Sequence, residues 1–332
     1  MSIGFWKNLK KPFFVLAPMA DVTDAAFRRV IAKRGSPDVM WTEFVSADGL
    51  VRATPEGKAK LMKDLIYVDE ERPIVAQLFS AHPEYMKEAA KLVRSLGFDG
   101  IDINMGCPDR SIEKQGAGAA LIRTPDLARE VIRAAKEGAK GDGVEIPVSV
   151  KTRVGYNTVV LDEWLPEILK ESPAAVTIHA RTRKEMSKVP ANWDLVRQAV
   201  EIRDRLGSSA LILGNGDVKD IADAREKAES TGADGIMLGR AIFGNPWLFN
   251  ESRPKSSIPL HEQLEALKEH VQLFDEILGG TKSFAIMKKH FKSYVEGFDG
   301  AKEIREKLMN ATNPQEVTSL LSAMIEATAS PR

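Results

Sequence analysis

The sequence predicts an α/β protein: a (β/α)8 barrel of the TIM type followed by a small C-terminal all-helical domain. Three observations carry this expectation. Eight short β-rich runs alternate with longer helical stretches, and eight such units in ~250 residues is the arithmetic of a barrel. Several of the runs are apolar on both faces, as parallel strands covered by helices should be. Beyond Pro254 the strand signal stops and only helical periodicity remains.

In chain order the expected strands are Phe13–Ala17, Val39–Thr42, Ile74–Gln77, Gly100–Asn104, Val148–Thr152, Ala175–His179, Leu211–Leu213 and Gly235–Leu238. Helical patterns such as Tyr85–Leu96 and Pro125–Ala139 lie between them, the first closed by Gly97 and the second stopping just before Gly141. An open doubly wound sheet is the alternative, but it usually has fewer units and a glycine-rich turn after its first strand. Here the first strand runs into Pro18-Met19-Ala20, so the barrel is favoured. Pro254, Ser256, Ser257 and Pro259 read as a linker, dividing the chain into a barrel over 1–254 and a helical domain over 255–332. Within the latter, Leu264, Leu267, Val271, Phe274 and Leu278 repeat at helical spacing up to Gly279-Gly280. Phe284, Met287, Phe291, Tyr294 and Phe298 form a second series, and Val317, Leu320, Leu321, Met324 and Ile325 a third.

Composition narrows the function classes. Of the 332 residues 43% are apolar and 28% charged, which excludes a disordered or fibrous chain. Lys+Arg and Asp+Glu both number 47. A neutral total argues against non-specific coating of nucleic acid while allowing a local basic face. The single cysteine, Cys107, excludes an internal disulfide framework and a cysteine-cluster metal site, and points to a reducing, cytoplasmic compartment. Lys7, Lys10 and Lys11 before Phe13–Ala17 faintly resemble a signal peptide, but Pro18 and Asp21 interrupt the apolar run. No stretch approaches the ~18 apolar residues of a membrane span.

Barrels of this kind carry their functional groups at the C-terminal ends of the strands. That rule selects Gln77, Asn104, Lys151 with Arg153, His179 with Arg181, Asn215 with Asp217, and Arg240. One strand-end amide is usually a satisfied structural group; six positions in successive units indicate a site. The turns Leu213-Gly214-Asn215-Gly216-Asp217 and Leu238-Gly239-Arg240 follow the last two strands, where barrels commonly bind phosphate. Cys107 lies between Gly106 and Pro108 just after a strand, positioned as an acid or nucleophile rather than as core filling. Basic residues gather in two groups: Arg181, Arg183, Lys184 and Lys188 with Arg110 and Lys114, and Lys282, Lys288, Lys289 and Lys292 with His290. Two such groups on a neutral protein suit phosphate contacts.

These motifs run through most of the chain. They are Ala17-Pro18-Met19-Ala20-Asp21-Val22-Thr23-Asp24 with Phe27-Arg28, Ala76-Gln77-Leu78, and Gly100-Ile101-Asp102-Ile103-Asn104-Met105-Gly106-Cys107-Pro108. Then follow Gly116-Ala117-Gly118, Val150-Lys151-Thr152-Arg153-Val154-Gly155, His179-Ala180-Arg181-Thr182-Arg183, Asn215-Gly216-Asp217, and Gly239-Arg240-Ala241 leading to Gly244-Asn245-Pro246-Trp247. Together they resemble the tRNA-dihydrouridine synthases, flavoenzymes that reduce selected uridines of tRNA; the Asn-Met-Gly-Cys-Pro run is the most specific. Asp21 stands where that family more often has Gly, Ala119 where Ser is frequent, and Ala180 where Gly is common, and Met186–Asn192 lacks the usual Tyr and Gly signature.

The resemblance implies FMN across the barrel mouth. Backbone of Pro18 and Met19 would border the ring, with Gln77, Lys151 and His179 at its polar edge. Asn215, Gly216, Asp217, Gly239 and Arg240 would hold the ribityl chain and phosphate. Lys151 has a further reason to be there, because a cation beside the pyrimidine edge favours anionic reduced flavin. NADPH or NADH is the implied electron donor. Hydride from reduced FMN would go to uracil C6 of a flipped-out uridine, and a proton from Cys107 to C5. Asn104, Arg153, Arg181 and Arg183 would position the base and nearby phosphates, while Lys288, Lys289 and Lys292 face outward to tRNA phosphates. A monomer is expected. Two rival classes are an FMN barrel oxidoreductase acting on a free small molecule, similar to dihydroorotate dehydrogenase, and a tRNA-binding protein without catalysis. The basic, aromatic-bearing helical appendage speaks against the first, and Cys107 with the full set of flavin contacts against the second.

Overall fold

The computed structural model describes residues 3–141 and 143–329. Eight parallel strands form one sheet: β1 (Phe13–Leu16), β2 (Met40–Ser46), β3 (Ile74–Phe79), β4 (Gly100–Met105), β5 (Val148–Arg153), β6 (Ala175–His179), β7 (Leu211–Asn215) and β8 (Gly235–Leu238). Neighbours in the sheet are neighbours in sequence, and β8 pairs with β1. The ring closes between β1 and the start of β2. Val15 bridges Val39, the Leu16 N–H donates to the Val39 carbonyl at 3.2 Å, and the Asp38 N–H to that of Phe14 at 2.9 Å. The expected barrel is the fold.

Side chains alternate along a strand, and the alternation builds two cores. Leu16, Ile101, Ile103, Val150, Val176 and Ile178 point outward against the surrounding helices. Phe13, Val15, Trp41, Val75, Leu211, Leu213 and Met237 point into the lumen. Trp6, on the short turn Gly4–Asn8, plugs the lumen's lower end, its ring 5.7 Å from Phe13 and 5.9 Å from Trp41. Higher up, the same inward positions become polar: Gln77 above Val75, Asp102 and Asn104 above Gly100, Lys151 and Arg153 above Ser149. Apolar packing below and polar groups above place the site at the C-terminal mouth.

Several strands run further than the sequence pattern indicates. β2, β3 and β7 extend to Ser46, Phe79 and Asn215; Leu78 and Phe79 stay in the ladder against Val45 and Ser46, and Asn215 stays paired with His179 and faces the cavity. β1 is one residue shorter, ending at Leu16. The helix Pro83–Ser95 ends at Gly97, whose φ of 80° suits glycine. The helix Pro125–Gly138 is followed not by a loop but by a two-stranded hairpin, Lys140–Gly141 with Val144–Glu145.

Beyond Pro254 the described chain is helical: Leu260–Leu278, Lys288–Tyr294, Ala301–Asn310 and Pro314–Ala329. Phe298 of the second apolar series falls in a turn after Gly297, while Ala301–Asn310 is a helix that the periodicity did not single out. The helix Leu260–Leu278 packs on the barrel helix Ala25–Gly35, with the His270 ring stacked on Phe27 at 4.7 Å and Glu269 paired to Lys33 and Arg34. Among the described residues no helix is long and apolar enough to cross a membrane. Met1, Ser2, Asp142, Ser330, Pro331 and Arg332 lie outside the described residues, so the outer ends of the expected 1–254 and 255–332 units do too.

Candidate active site at the barrel mouth

A cavity of about 280 Å³ opens at the C-terminal ends of the strands. Fourteen of the residues singled out in the sequence line it: Pro18, Met19, Gln77, Asn104, Cys107, Lys151, Arg153, His179, Arg181, Asn215, Gly216, Asp217, Gly239 and Arg240. They come from all but one of the strand ends, which is what convergence on a shared site requires.

Local chemistry explains each placement. The loop after β1 is folded back by Thr23, whose hydroxyl accepts the Met19 N–H at 2.9 Å. Asp24 caps the next helix by accepting the Phe27 N–H at 2.9 Å. Arg28, fully buried against Glu71, donates to the Thr23 carbonyl at 2.9 Å. The motif Thr23-Asp24 with Phe27-Arg28 therefore fixes the loop that carries Pro18 and Met19.

The floor is a hydrogen-bonded chain. Ser149 Oγ and Gln77 Nε2 each donate to Asp102 at 2.6 Å. Asn104 Nδ2 donates to Gln77 Oε1 at 3.0 Å, and Asn104 Oδ1 accepts the N–H groups of Gly106 and Cys107 at 3.1 and 2.9 Å. Burial pushes the Asp102 carboxyl up to about 6, against these donors and the Lys151 charge.

Cys107 sits half-buried at the lip, packed beside Phe79, Ile112 and Ala117. Its carbonyl accepts the Ala119 N–H at 3.0 Å, and a Cβ on Gly118 (φ 62°) would come within 2.8 Å of that oxygen. Gly118 is what lets this loop turn back over Cys107. Burial raises the thiol above its ordinary range, so it holds its proton at neutral pH.

Opposite lie the cations. Burial, with the Arg153 charge, pushes Lys151 down to about 8, and its Nζ lies 3.4 Å from Asn215 Oδ1. Arg153 is held by three carbonyls, those of Gly106, Thr182 and Met186, at 2.8–3.2 Å. His179 is neutral, pushed well below its ordinary value by burial and by Lys151, Arg153, Arg181 and Arg240. Arg181 Nη1 stands 3.2 Å from His179 Nε2; a guanidinium only donates, which assigns the ring proton to Nδ1.

The structure gives several predicted residues partners within the chain or places them outside the cavity. Arg181 lines the cavity, but its guanidinium is committed to the Val189 carbonyl at 2.6 Å, to His179 and to Asp217. Arg183 stands outside, paired with Glu113 and packed over the Tyr156 ring. Lys288, Lys289 and Lys292 also lie outside the cavity: Lys288 is half-buried and donates to the Met309 carbonyl, Lys289 is 3.3 Å from Asp21 of the β1 loop, and Lys292 is exposed. Of the same basic group, Lys282 is half-buried between Glu43 and Asp64 at 2.6 and 2.8 Å, and His290 is buried. Ala180 belongs to the outer core and does not line the cavity.

Sequence reasoning missed Asp102 and Ser149 in the floor, and Phe44 and Ser187 in the wall. Asp102 carried a signal: it alternates with Gly100 and Asn104 on the inward face of β4. Phe44 follows a register shift in β2 that no pattern marks.

A closed parallel β/α barrel with a polar, cation-rich cavity and a protonated thiol at its mouth defines a barrel enzyme. The barrel superposes on histamine dehydrogenase from Rhizobium sp. 4-9 (TM-score 0.53, 15% identity, 78% of this chain and 48% of that one) and on 2-naphthoyl-CoA reductase (TM-score 0.55, 12% identity, 76% and 51%). The chain spans about half the length of both, and at these identities the likeness is one of fold. Residues 15–329 match the dihydrouridine synthase family. The chain is 42% identical over 323 residues to a probable tRNA-dihydrouridine synthase 2 of Bacillus subtilis (strain 168), covering 97% of this chain and 96% of that protein. It is 40% identical over 327 residues to a probable tRNA-dihydrouridine synthase of Staphylococcus aureus (strain COL), covering 97% and 95%. The chain belongs to the dihydrouridine synthase family of oxidoreductases.

Proposed function

We propose that this protein reduces uridine in tRNA to 5,6-dihydrouridine, with FMN as bound cofactor and NADPH or NADH as electron donor. The observation that carries the proposal is the pairing, across one cavity, of the Cys107 thiol with a wall of donors. The residues present fit FMN. A Cβ on Gly239 would project against the cavity residues Met19 and Ala17, at 3.6 and 3.7 Å, so glycine keeps that wall open. Among the described residues the N–H groups of Gly239 and Arg240 donate to no other backbone carbonyl, which leaves them to a phosphate beside the Arg240 guanidinium. Asn215, Gly216 and Asp217 line the adjoining wall, where ribityl hydroxyls can pair. Pro18 and Met19 would border the ring, and Gln77, Lys151 and neutral His179 would meet its polar edge.

When bound, FMN supplies the hydride for C6 of the base. The chain's own residues supply the rest. Asn104 directs an N–H toward the base, Arg153 adds charge beside it, and Cys107 delivers a proton to C5. A raised thiol is suited to that role, because the acid must be protonated before transfer. Lys289 and Lys292, on the helical segment that we assign to tRNA binding over 255–332, would contact phosphates. Mapping dihydrouridine in tRNA from cells lacking this gene tests the reading: one or more sites should revert to uridine, and an unchanged map would refute it.

A further inference from the structure

The floor of the cavity has a fixed hydrogen-bond direction. At one end, the backbone N–H groups of Gly106 and Cys107 can only donate, so Asn104 must present Oδ1 to them. Its amide nitrogen then faces Gln77 Oε1. At the other end Gln77, its Oε1 already taken by Asn104, presents Nε2 to Asp102 Oδ2 at 2.6 Å. The two ends agree on one direction, and Asp102 supplies the buried acceptor that Gln77 Nε2 needs to hold it. Neither amide can flip without placing donor against donor or acceptor against acceptor. Gln77 is fully buried and Asn104 is 6% exposed, so water cannot substitute freely for a lost partner.

We propose that Asp102 is a positioning residue that fixes this direction, so that Gln77 and Asn104 turn only N–H groups into the cavity and Asn104 holds the Cys107 backbone in place. Asn104 Oδ1 is filled by two backbone N–H groups, while Gln77 and Lys151 belong to the flavin's edge. At the place where the base is met, Asn104 therefore offers a donor and no acceptor. A ring edge bearing carbonyl oxygens, as in uracil, matches it. An exocyclic amino group at the same place, as in cytosine, meets a donor and loses a hydrogen bond it had in water. This rests on the reading above, in which a pyrimidine ring enters the cavity and Cys107 acts as its acid.

Two neutral replacements of nearly the carboxylate's shape separate direction from charge. Asp102→Asn keeps it: Oδ1 accepts from Gln77, Nδ2 donates to Ser149 Oγ, and the Ser149 hydroxyl retains the Ile101 carbonyl, 3.3 Å away. Asp102→Leu removes the acceptor. The holoenzymes, with NADPH and tRNA isolated from a strain without dihydrouridine, are compared in single turnover, alongside tRNA affinity and the rate of Cys107 alkylation by iodoacetamide. Asp102→Asn should stay within a few-fold of the parent in all three, while Asp102→Leu should bind tRNA normally but lose up to about 10²-fold in dihydrouridine formation and alkylate at a changed rate. Equal damage in both variants would show that the charge matters and not the direction, and an Asp102→Leu enzyme behaving like the parent would show no role; either overturns the proposal. If Asp102→Leu does not fold, Asp102→Asn decides alone, since a folded but inactive Asn variant contradicts it. Parent enzyme that makes no dihydrouridine would refute the functional reading instead, and the alkylation rates would still test the relay.

Discussion

At the residue scale, the chemistry rests on charges held in unusual states by burial. Cys107 keeps its proton because it is half-buried beside apolar groups, and Lys151 and Arg153 nearby are too few to reverse that. The sign of the pH dependence follows. With the thiol as the proposed acid, its own effect on activity is constant through the ordinary thiol range, about 8.5, and is lost only as pH rises above it. Lys151, at about 8, acts on the flavin and so on both half-reactions; a decline starting below pH 8 in the tRNA half-reaction alone would contradict this. Asp217 shares its carboxylate between Arg181 and Arg240, with Arg240 Nη2 at 2.5 Å. Arg240→Ala should therefore weaken FMN retention by about tenfold rather than abolish it, because backbone donors at Gly239 and Arg240 remain; flavin fluorescence titration of the apoprotein measures this. Most of these residues were legible in the sequence because strand ends in a barrel converge. Arg181's commitment was not, since its partner Asp217 lies 36 residues away and spacing gives no sign of the pairing.

At the element scale, strand order was legible from alternation, whereas the seam between barrel and C-terminal helices was not. Lys282 looks in sequence like one of a basic group, yet it sits half-buried, paired to both Glu43 and Asp64. Burial pushes Glu43 up to about 7 against the pull of Lys282, and Glu43 also accepts the Asp21 N–H at 2.5 Å. Lys282 thereby ties the helices to the loop that carries Met19. Lys282→Met should destabilise the protein by about 2–3 kcal/mol, since it strands the buried Glu43 carboxylate while Asp64 stays partly solvated; a loss below 1 kcal/mol in urea unfolding would refute the tie. His270 and His290 occupy the same seam, rings 4.6 Å apart, with no protein hydrogen bond to any of their four ring nitrogens among the described residues. Burial lowers both, His290 to about 3. Their folded values lie below the unfolded one, so the unfolded chain takes up protons first as pH falls. Stability is full above about pH 6.5 and declines below it by about 1.4 kcal/mol per pH unit for each histidine. A His270→Leu, His290→Leu double variant should show a flatter stability profile between pH 7 and 5, and an equal slope would contradict the assignment.

At the scale of the whole molecule, a chain with zero net charge must direct its electrostatics to be a tRNA enzyme. The structure narrows the basic group to Lys288, Lys289 and Lys292, of which Lys289 and Lys292 are exposed. Neutralising the three should weaken tRNA binding and reduce the slope of log affinity against log salt by roughly 0.7–0.9 per lost phosphate contact. Filter binding over a salt series reads this, and an unchanged slope would place the tRNA elsewhere. NADPH-driven flavin reduction without tRNA belongs to the barrel and should be untouched. The central claim is that Cys107 is the proton donor of the second half-reaction and has no part in the first. Stopped-flow absorbance of Cys107→Ala holoenzyme tests it most directly, following flavin reduction by NADPH and then its reoxidation by tRNA lacking dihydrouridine. The account predicts reduction at the parent rate and reoxidation slowed by about 10²–10⁴-fold. Equal slowing of both steps, or reoxidation at the parent rate, would contradict it.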